Sequence, residues 1–543
     1  GRVAKGTAGF AASALAISIG LALSSNAMAN VDTDVASGVL RIADPTGTNS
    51  IRMGSGTTLD DANKKWNSIS IGVDSGVNTE SSVAIGYNAK AGKVDKFLGQ
   101  GAVAIGYNAQ ALGTSGIAIG EDSSATNGHN GLAIGAYSKT SNEKAISIGA
   151  FSTASGAQSI VMAGNYDSNS RGPVSVASGT RATVIGAETT VSGNNSLAIG
   201  DTNTVASHRT YAIGNNINVA AGADDSLAFG TRAHVSGINQ ISIGTDAGAD
   251  AKVANKSGIA IGKAAGRYLE EGSYNAAIGD QAGQYVKGSF NIAMGFNAGS
   301  GTASDKLEVT NTTSIGNGAR ALTDDSVAIG TGAKSGKVDK STGKGSVAIG
   351  VAAEALGTAG IAIGENAATT NGHNGVAIGV YSKTQNEKAI SIGAFNKATG
   401  AQSVVIAGNY SSGGSTATAD RATVIGADTN VSGQQSVAIG DKNNVASART
   451  YAMGNNINVA ADADDSLAFG TRAAVGGANA VAIGANANAA QANSVALGAG
   501  SATDAPHTGA YTLNNSYTAA GLPNAANGTV SVGSAGKERQ IQN

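Results

Sequence analysis

The sequence predicts an all-β fold, a parallel β-roll solenoid of coils about 14 residues long. Three observations predict it. A short phrase, apolar–small–apolar–Gly, recurs from Ile69-Ser70-Ile71-Gly72 to Val495-Ala496-Leu497-Gly498. Its glycines give 28 copies, and 13 of the 27 spacings between them are 14 residues. Composition agrees: Gly is 79 of 543 residues and aromatics are 4%, so the chain must fill a narrow core with small and β-branched side chains. A fixed short period over hundreds of residues means a stacked solenoid, in which each coil contacts its neighbours.

Within one phrase, strand alternation puts the first and third slots on one face and the middle slot on the other. The repeat core is expected at Val83, Ile85, Gly86, Val103, Ile105, Gly106, Ile117, Ile119, Gly120, Val347, Ile349, Gly350, Val437, Ile439 and Gly440. Alternation leaves open which face lines the roll; the preferred reading puts the bulky slots inside and the small Ala or Ser slot toward the axis of an assembly of rolls. Glycine makes the corner after the strand. The second half of a coil, as in Asn108-Ala109-Gln110-Ala111-Leu112-Gly113, alternates small and polar residues. Two five-residue strands and two turns account for one coil. None of the four prolines (Pro45, Pro173, Pro506, Pro523) falls in a phrase, as strands that need every backbone donor require. Stacked at ~4.8 Å, the coils would make a rod on the order of 130 Å long. A roll this thin leaves one face to be covered, which points to identical rolls packing around an axis as a homo-oligomer.

In order along the chain, Arg2 and Lys5 precede an apolar stretch ending in Ala27-Met28-Ala29. This reads as a secretory signal peptide over 1–29, cleaved after Ala29. Residues 30–66 lack the phrase and read as an N-terminal cap. A first block of repeats covers 67–244. Longer spacings over 245–325 read as coils of the same kind with larger outer turns. A second block, 326–500, repeats much of the first: Gly86, Gly106, Gly120, Gly135, Gly149 and Gly164 each recur 244 residues later. Residues 501–543 read as a connector ending in Val530-Ser531-Val532-Gly533 and Gly536-Lys537-Glu538-Arg539-Gln540-Ile541.

Chemistry is sparse. The formal net charge is −2, which offers nucleic acid no basic footprint. With no cysteine there is neither a disulfide nor a thiolate metal site, which suits a chain crossing the periplasm unfolded. His129 and His373 sit in matching Asn-Gly-His-Asn-Gly turns and read as exposed turn residues. No His-Glu-x-x-His, Gly-x-Ser-x-Gly or phosphate-loop motif occurs, so neither catalytic residues nor a cofactor nor a metal is expected. The pairs Asp224-Asp225, Asp324-Asp325 and Asp464-Asp465 read as solvated turns, with weak cation sites as the other reading. Two insertions break the beat with positive charge: Lys90, Lys93 and Lys96, and their copies Lys334, Lys337 and Lys340. They are the candidate adhesive loops, whose repetition would multiply weak contacts.

The Asn-Ser-Val-Ala-Ile-Gly phrase at 14-residue spacing resembles the head repeat of the YadA-like trimeric autotransporter adhesins. The closing Val530–Ile541 phrases resemble the neck that joins such heads to a coiled-coil stalk. The resemblance implies a left-handed parallel β-roll assembled as a homotrimer and displayed on the outer surface of a Gram-negative bacterium. It implies a non-enzymatic adhesin that binds collagen, fibronectin or laminin, host cells or other bacteria, with attachment to the outer membrane through a C-terminal anchor. The chain is then expected to be a fragment, its stalk and anchor lying past residue 543. The alternative reading is a structural fibre that binds or depolymerises glycans. It would need a pair of carboxylates in a groove, and none stands out from the turns.

Overall fold

A computed structural model describes residues 30–34, 39–43, 50–54, 58–59, 67–93, 100–164, 175–251, 255–337, 342–408, 413–507, 512–513, 517–518 and 527–542. The signal-peptide reading over 1–29, with its cleavage at Ala29, lies outside them, as do Lys96 and Lys340. The chain divides into two compact units, 1–249 and 250–543.

In the first unit, thirteen three-residue strands from Ile51–Met53 to Ile241–Ile243 carry the phrase. They pair in parallel, phrase on phrase. Val83, Ala84 and Ile85 stand on Val103, Ala104 and Ile105 in turn. A second parallel ladder of twelve short strands, from Thr58–Leu59 to His234–Val235, closes the other side of all these coils but the last. There Lys90 pairs with Gln110 and Ala91 with Ala111. The two strands of a coil are therefore three and two residues long (Val103–Ile105, Gln110–Ala111), shorter than the two five-residue strands expected. Turns take the remainder, because the chain must reverse twice in every coil.

The second unit repeats the plan. Its sixteen phrase strands run from Ile259–Ile261 to Val495–Leu497, and its back ladder runs from Arg320–Ala321 to Asn488–Ala489. Over the longer-turn coils the phrase ladder continues through Ile259–Ile261, Ala276–Ile278, Ile292–Met294 and Thr313–Ile315. Leu269, Val286, Leu307, Val309 and Leu322 fill their wider interior. The closing phrase joins the ladder as well: Val530 pairs with Val495 and Ser531 with Ala496. The Arg539 guanidinium ties it down by donating to Ser501 Oγ at 3.1 Å, to the Val532 carbonyl at 2.7 Å and to the Ala499 carbonyl.

Three expectations are corrected. The faces of the phrase strand are reversed: Ala84, Ala104, Ala118, Ala348 and Ala438 are fully buried inside the roll. The bulky slots Val83, Ile85, Val103, Ile105, Ile117, Ile119, Val347, Ile349, Val437 and Ile439 lie half-buried on the outer side. Between the two ladders stand small or β-branched side chains, Ala, Ser, Val and Thr; Ala198 and Ala212, for instance, pack with the back ladder's Val191 and Val205. Second, the segment read as a cap without repeats contains one more coil. Ile51–Met53 pairs with Ile69–Ile71, and Thr58–Leu59 with Gly76–Val77. Its phrase, Ile51-Arg52-Met53-Gly54, has Arg in the small slot, which hid it from a pattern built on Ala and Ser. Third, the 28 glycines are not equivalent, since Gly164 and Gly408 have ordinary backbone angles and open space where a Cβ would stand.

Polar residues inside the roll are organised by the same stacking. Thr189 Oγ1 donates to the Gly200 carbonyl at 2.7 Å and accepts from the Asn203 backbone N–H at 3.2 Å. Asn203 Nδ2 donates to the Gly214 carbonyl at 2.7 Å, and its Oδ1 accepts from the Ile217 N–H at 2.9 Å. Thr429, Asn443 and Ile457 repeat the arrangement in the second unit. Thr189, Asn203, Thr429 and Asn443 thus satisfy backbone groups of the next coil, as burial demands.

Candidate functional site

The outer side of the phrase ladder is an apolar strip built by strand alternation. In both units its first and third slots hold Val, Ile, Leu, Met, Thr, Ala, Tyr or Phe, and no charged residue from Ile51 to Leu497. Many of these side chains are well exposed: Met162 is 47% exposed, Phe229 49% and Tyr451 55%. Scattered exposed apolar residues are ordinary, but a contiguous strip of them marks an interaction surface. Among the described residues its outer slots carry no carboxylate, amine, guanidinium, imidazole or thiol.

The turns are where charge collects, and the coils stack it into ladders. Asp224 Oδ1 accepts from the His208 N–H at 2.9 Å, and Asp464 Oδ1 does the same for Ala448. Asp324 Oδ1 accepts from the Thr310 N–H at 2.9 Å. The second aspartate of each pair faces a neighbouring coil's side chain. Arg209 grips Asp225 with two bonds of 2.5 and 2.7 Å, and Arg449 grips Asp465 with bonds of 2.6 and 2.8 Å. The hydrogen bonds from these arginines hold the Asp225 and Asp465 carboxyls below the usual carboxylate range. Asp325 takes Asn311 Nδ2 at 3.1 Å and stands 3.5 Å from Lys344 Nζ. The acidic pairs therefore cap coils and bind cationic side chains. Among the described residues no cluster of His, Cys, Asp and Glu is arranged to hold a metal ion.

The basic loops are only partly described. Lys90 and Lys334 open back-ladder strands and are exposed, while Lys93 and Lys337 are half-buried. The two copies differ in a way that matters for charge. Lys334 pairs in the ladder with Glu354 and reaches its carboxylate at 3.1 Å. Lys90 pairs instead with Gln110. His129 and His373 are exposed turn residues whose carbonyls accept from Lys144 and Lys388.

Sequence reasoning missed a set of stacked aromatic pairs on the turns. Tyr87 and Tyr107 stack at 5.2 Å, Tyr137 and Phe151 at 5.0 Å, and Tyr381 and Phe395 at 5.4 Å. The signal was present as aromatics at matching offsets after successive motif glycines. Negative charge on Glu121, then Asp122, raises the Tyr137 phenol above its usual range.

Among the described residues no helix is long and apolar enough to cross a membrane. No curated protein matches the chain. The family model of the YadA head domain repeat matches residues 67–89, 98–123, 111–138, 127–152, 141–162, 177–203, 221–247, 310–333, 341–367, 417–443 and 476–501. These stretches are the coils just described: a buried small slot, an uncharged outer strip and a glycine corner, repeated. Along these stretches the chain is built of YadA head domain repeats.

Proposed function

We propose that the chain is the non-enzymatic head of a bacterial surface adhesin, assembled as a homotrimer of left-handed β-rolls. The observation that carries this reading is the uncharged outer strip of the phrase ladder. A face of that length without a charge suits burial against copies of itself, and closed symmetry is the usual way for a chain to do so. The repeat family supports the adhesin reading. Such a head works as a multivalent surface, where many weak contacts add to avidity.

In this reading the strip is spent on assembly and the turns and insertions remain outside for recognition. The loops bearing Lys90, Lys93 and Lys96, and Lys334, Lys337 and Lys340, are the proposed adhesive elements. The proposed partners are matrix proteins of the collagen, fibronectin or laminin class, host cell surfaces or other bacteria. The site of action is the surface of a Gram-negative cell, reached through a secretory signal at 1–29. The blocks 67–244 and 326–500 act as interchangeable lengths of head, and 501–543 leads into a neck.

Light scattering on the recombinant head, with and without EDTA, tests the assembly. A trimeric mass unchanged by chelation is expected, and a stable single chain overturns it. A binding panel of matrix proteins and host cells, with each basic loop deleted in turn, tests the adhesive role. Unchanged binding after both deletions would place recognition elsewhere on the head.

A further inference from the structure

The outer strip is uniform over most of its length, and uniformity is a problem for register. Two copies packed strip to strip could slide by one coil, about 4.8 Å, and bury nearly the same apolar area. The occupant of this strip is taken to be a second copy of the chain, so the inference rests on the self-assembly proposed above. In the first unit alone, thirteen strands contribute two outer side chains each. At roughly 30–40 Å² apiece they reach the ~800 Å² per partner of a standard interface.

Aromatic rings enter the strip at one place in each unit, and it is the matching place. Tyr211 occupies a first slot between Leu197 and Leu227 and is 50% exposed. One coil on, Phe229 occupies a third slot between Ile213 and Ile243 and is 49% exposed. In the second unit Tyr451 and Phe469 stand at the matching slots, 55% and 49% exposed. The two rings sit on opposite columns in consecutive coils, so each pair makes a diagonal ridge across the strip.

We propose that the Tyr211–Phe229 and Tyr451–Phe469 ridges set the axial register between copies of this chain. In register, the wide layers of all copies coincide and the copies stand apart evenly. Slipped by one coil, a ridge meets the Leu and Ile of a narrower layer and holds the strips apart. The slip also separates the tyrosine hydroxyls, which can bond one another around an axis, and leaves them unpartnered in an apolar seam. An unpaired buried hydroxyl is costly.

The test uses the whole chain, whose lack of cysteine leaves a clean background. Differently tagged chains carry Ile119→Cys or Ile134→Cys, one coil apart in the ladder. They are mixed during refolding and oxidised. Disulfides between like positions report the in-register assembly, and disulfides between unlike positions report a slip. In the background Y211L/F229I/Y451L/F469I, whose new residues all occur in the same slots elsewhere, the ratio of slipped to in-register product is expected to rise at least tenfold. Circular dichroism checks that this background folds. The two half-variants, Y211L/F229I and Y451L/F469I, give the same readout at smaller amplitude if it does not. Equal ratios with and without the ridges, in an assembled protein, overturn the inference and leave the assembly standing. A single chain by light scattering overturns both.

Discussion

A Cβ placed on Gly364 would stand 2.6 Å from the carbonyl oxygen of Gly379, the corner glycine of the next coil. The backbone there also has φ +129°, a region closed to side chains. The corner is therefore glycine for two independent reasons, conformation and contact. Gly364→Ala is expected to destabilise the second unit by on the order of 3 kcal/mol, since backbone must move to relieve the clash. Gly408 fills the same place in the sequence pattern but has neither constraint. Gly408→Ala is expected to be neutral or to stabilise by up to about 1 kcal/mol through the unfolded chain. Urea unfolding of the two variants against the parent checks the contrast, and equal losses would refute it.

Ala348 and Ile349 are adjacent in the chain and opposite in fate. Ala348 is fully buried in the roll, whereas Ile349 is half-buried on the outer strip. Ala348→Asp puts an unpaired carboxylate between two ladders and is expected to cost about 3–5 kcal/mol. Ile349→Asp is expected to leave the unfolding of a single chain nearly unchanged and to weaken association. Circular dichroism and light scattering on both variants separate fold from assembly. If Ile349→Asp unfolds the chain at a concentration where it is dissociated, the outer placement of that slot is wrong.

That contrast marks the limit of what the sequence told. Period, strand position and glycine corners were legible because each leaves a mark at a fixed spacing. The direction of the faces was not, because alternation separates two faces without saying which is enclosed. The deciding fact is how narrow the interior is between the phrase ladder and the back ladder, where Ala104 and Ala111 pack among other alanines and Val77. The coil at Ile51–Met53 stayed hidden for a related reason, since Arg52 breaks the small-slot pattern while the backbone pairing survives. The pairing of Arg209 with Asp225 was illegible too. Those residues are 16 apart in sequence and meet only because one coil stacks on the next.

The Arg209–Asp225 and Arg449–Asp465 pairs make a signed prediction for acid. Hydrogen bonds from arginine depress both aspartate pKa values in the folded chain. A depressed carboxylate stabilises the fold above its unfolded pKa, about 3.9, and that contribution is lost as pH falls through the lower folded value. Acid unfolding at low salt is therefore expected to show a small destabilising step below pH ~4. Asp225→Asn with Asp465→Asn should remove it. Both pairs are solvent-exposed, so high salt should shrink the step in the parent as well. A step that persists at full size in the double variant would have to come from other carboxylates.

Asn203 holds the next coil at two points, donating to the Gly214 carbonyl and accepting from the Ile217 N–H, and Asn443 does the same for Gly454 and Ile457. Both asparagines are buried. Asn203→Leu keeps much of the volume but strands one buried donor and one buried acceptor, each worth about 1–3 kcal/mol when left unmade. A loss of about 2–4 kcal/mol is expected for each variant. The two sites belong to different units and share no partner, so the double variant should lose the sum to within about 0.5 kcal/mol, provided unfolding is followed separately in each unit. Asn203→Asp is the sharper control, because its carboxylate still accepts from Ile217 but cannot donate to Gly214. It should fall between the parent and the leucine variant near pH 4, where protonation restores a donor, and drop toward the leucine variant as the pH rises. A flat pH response would mean that the Gly214 carbonyl finds another partner when the side-chain amide is gone.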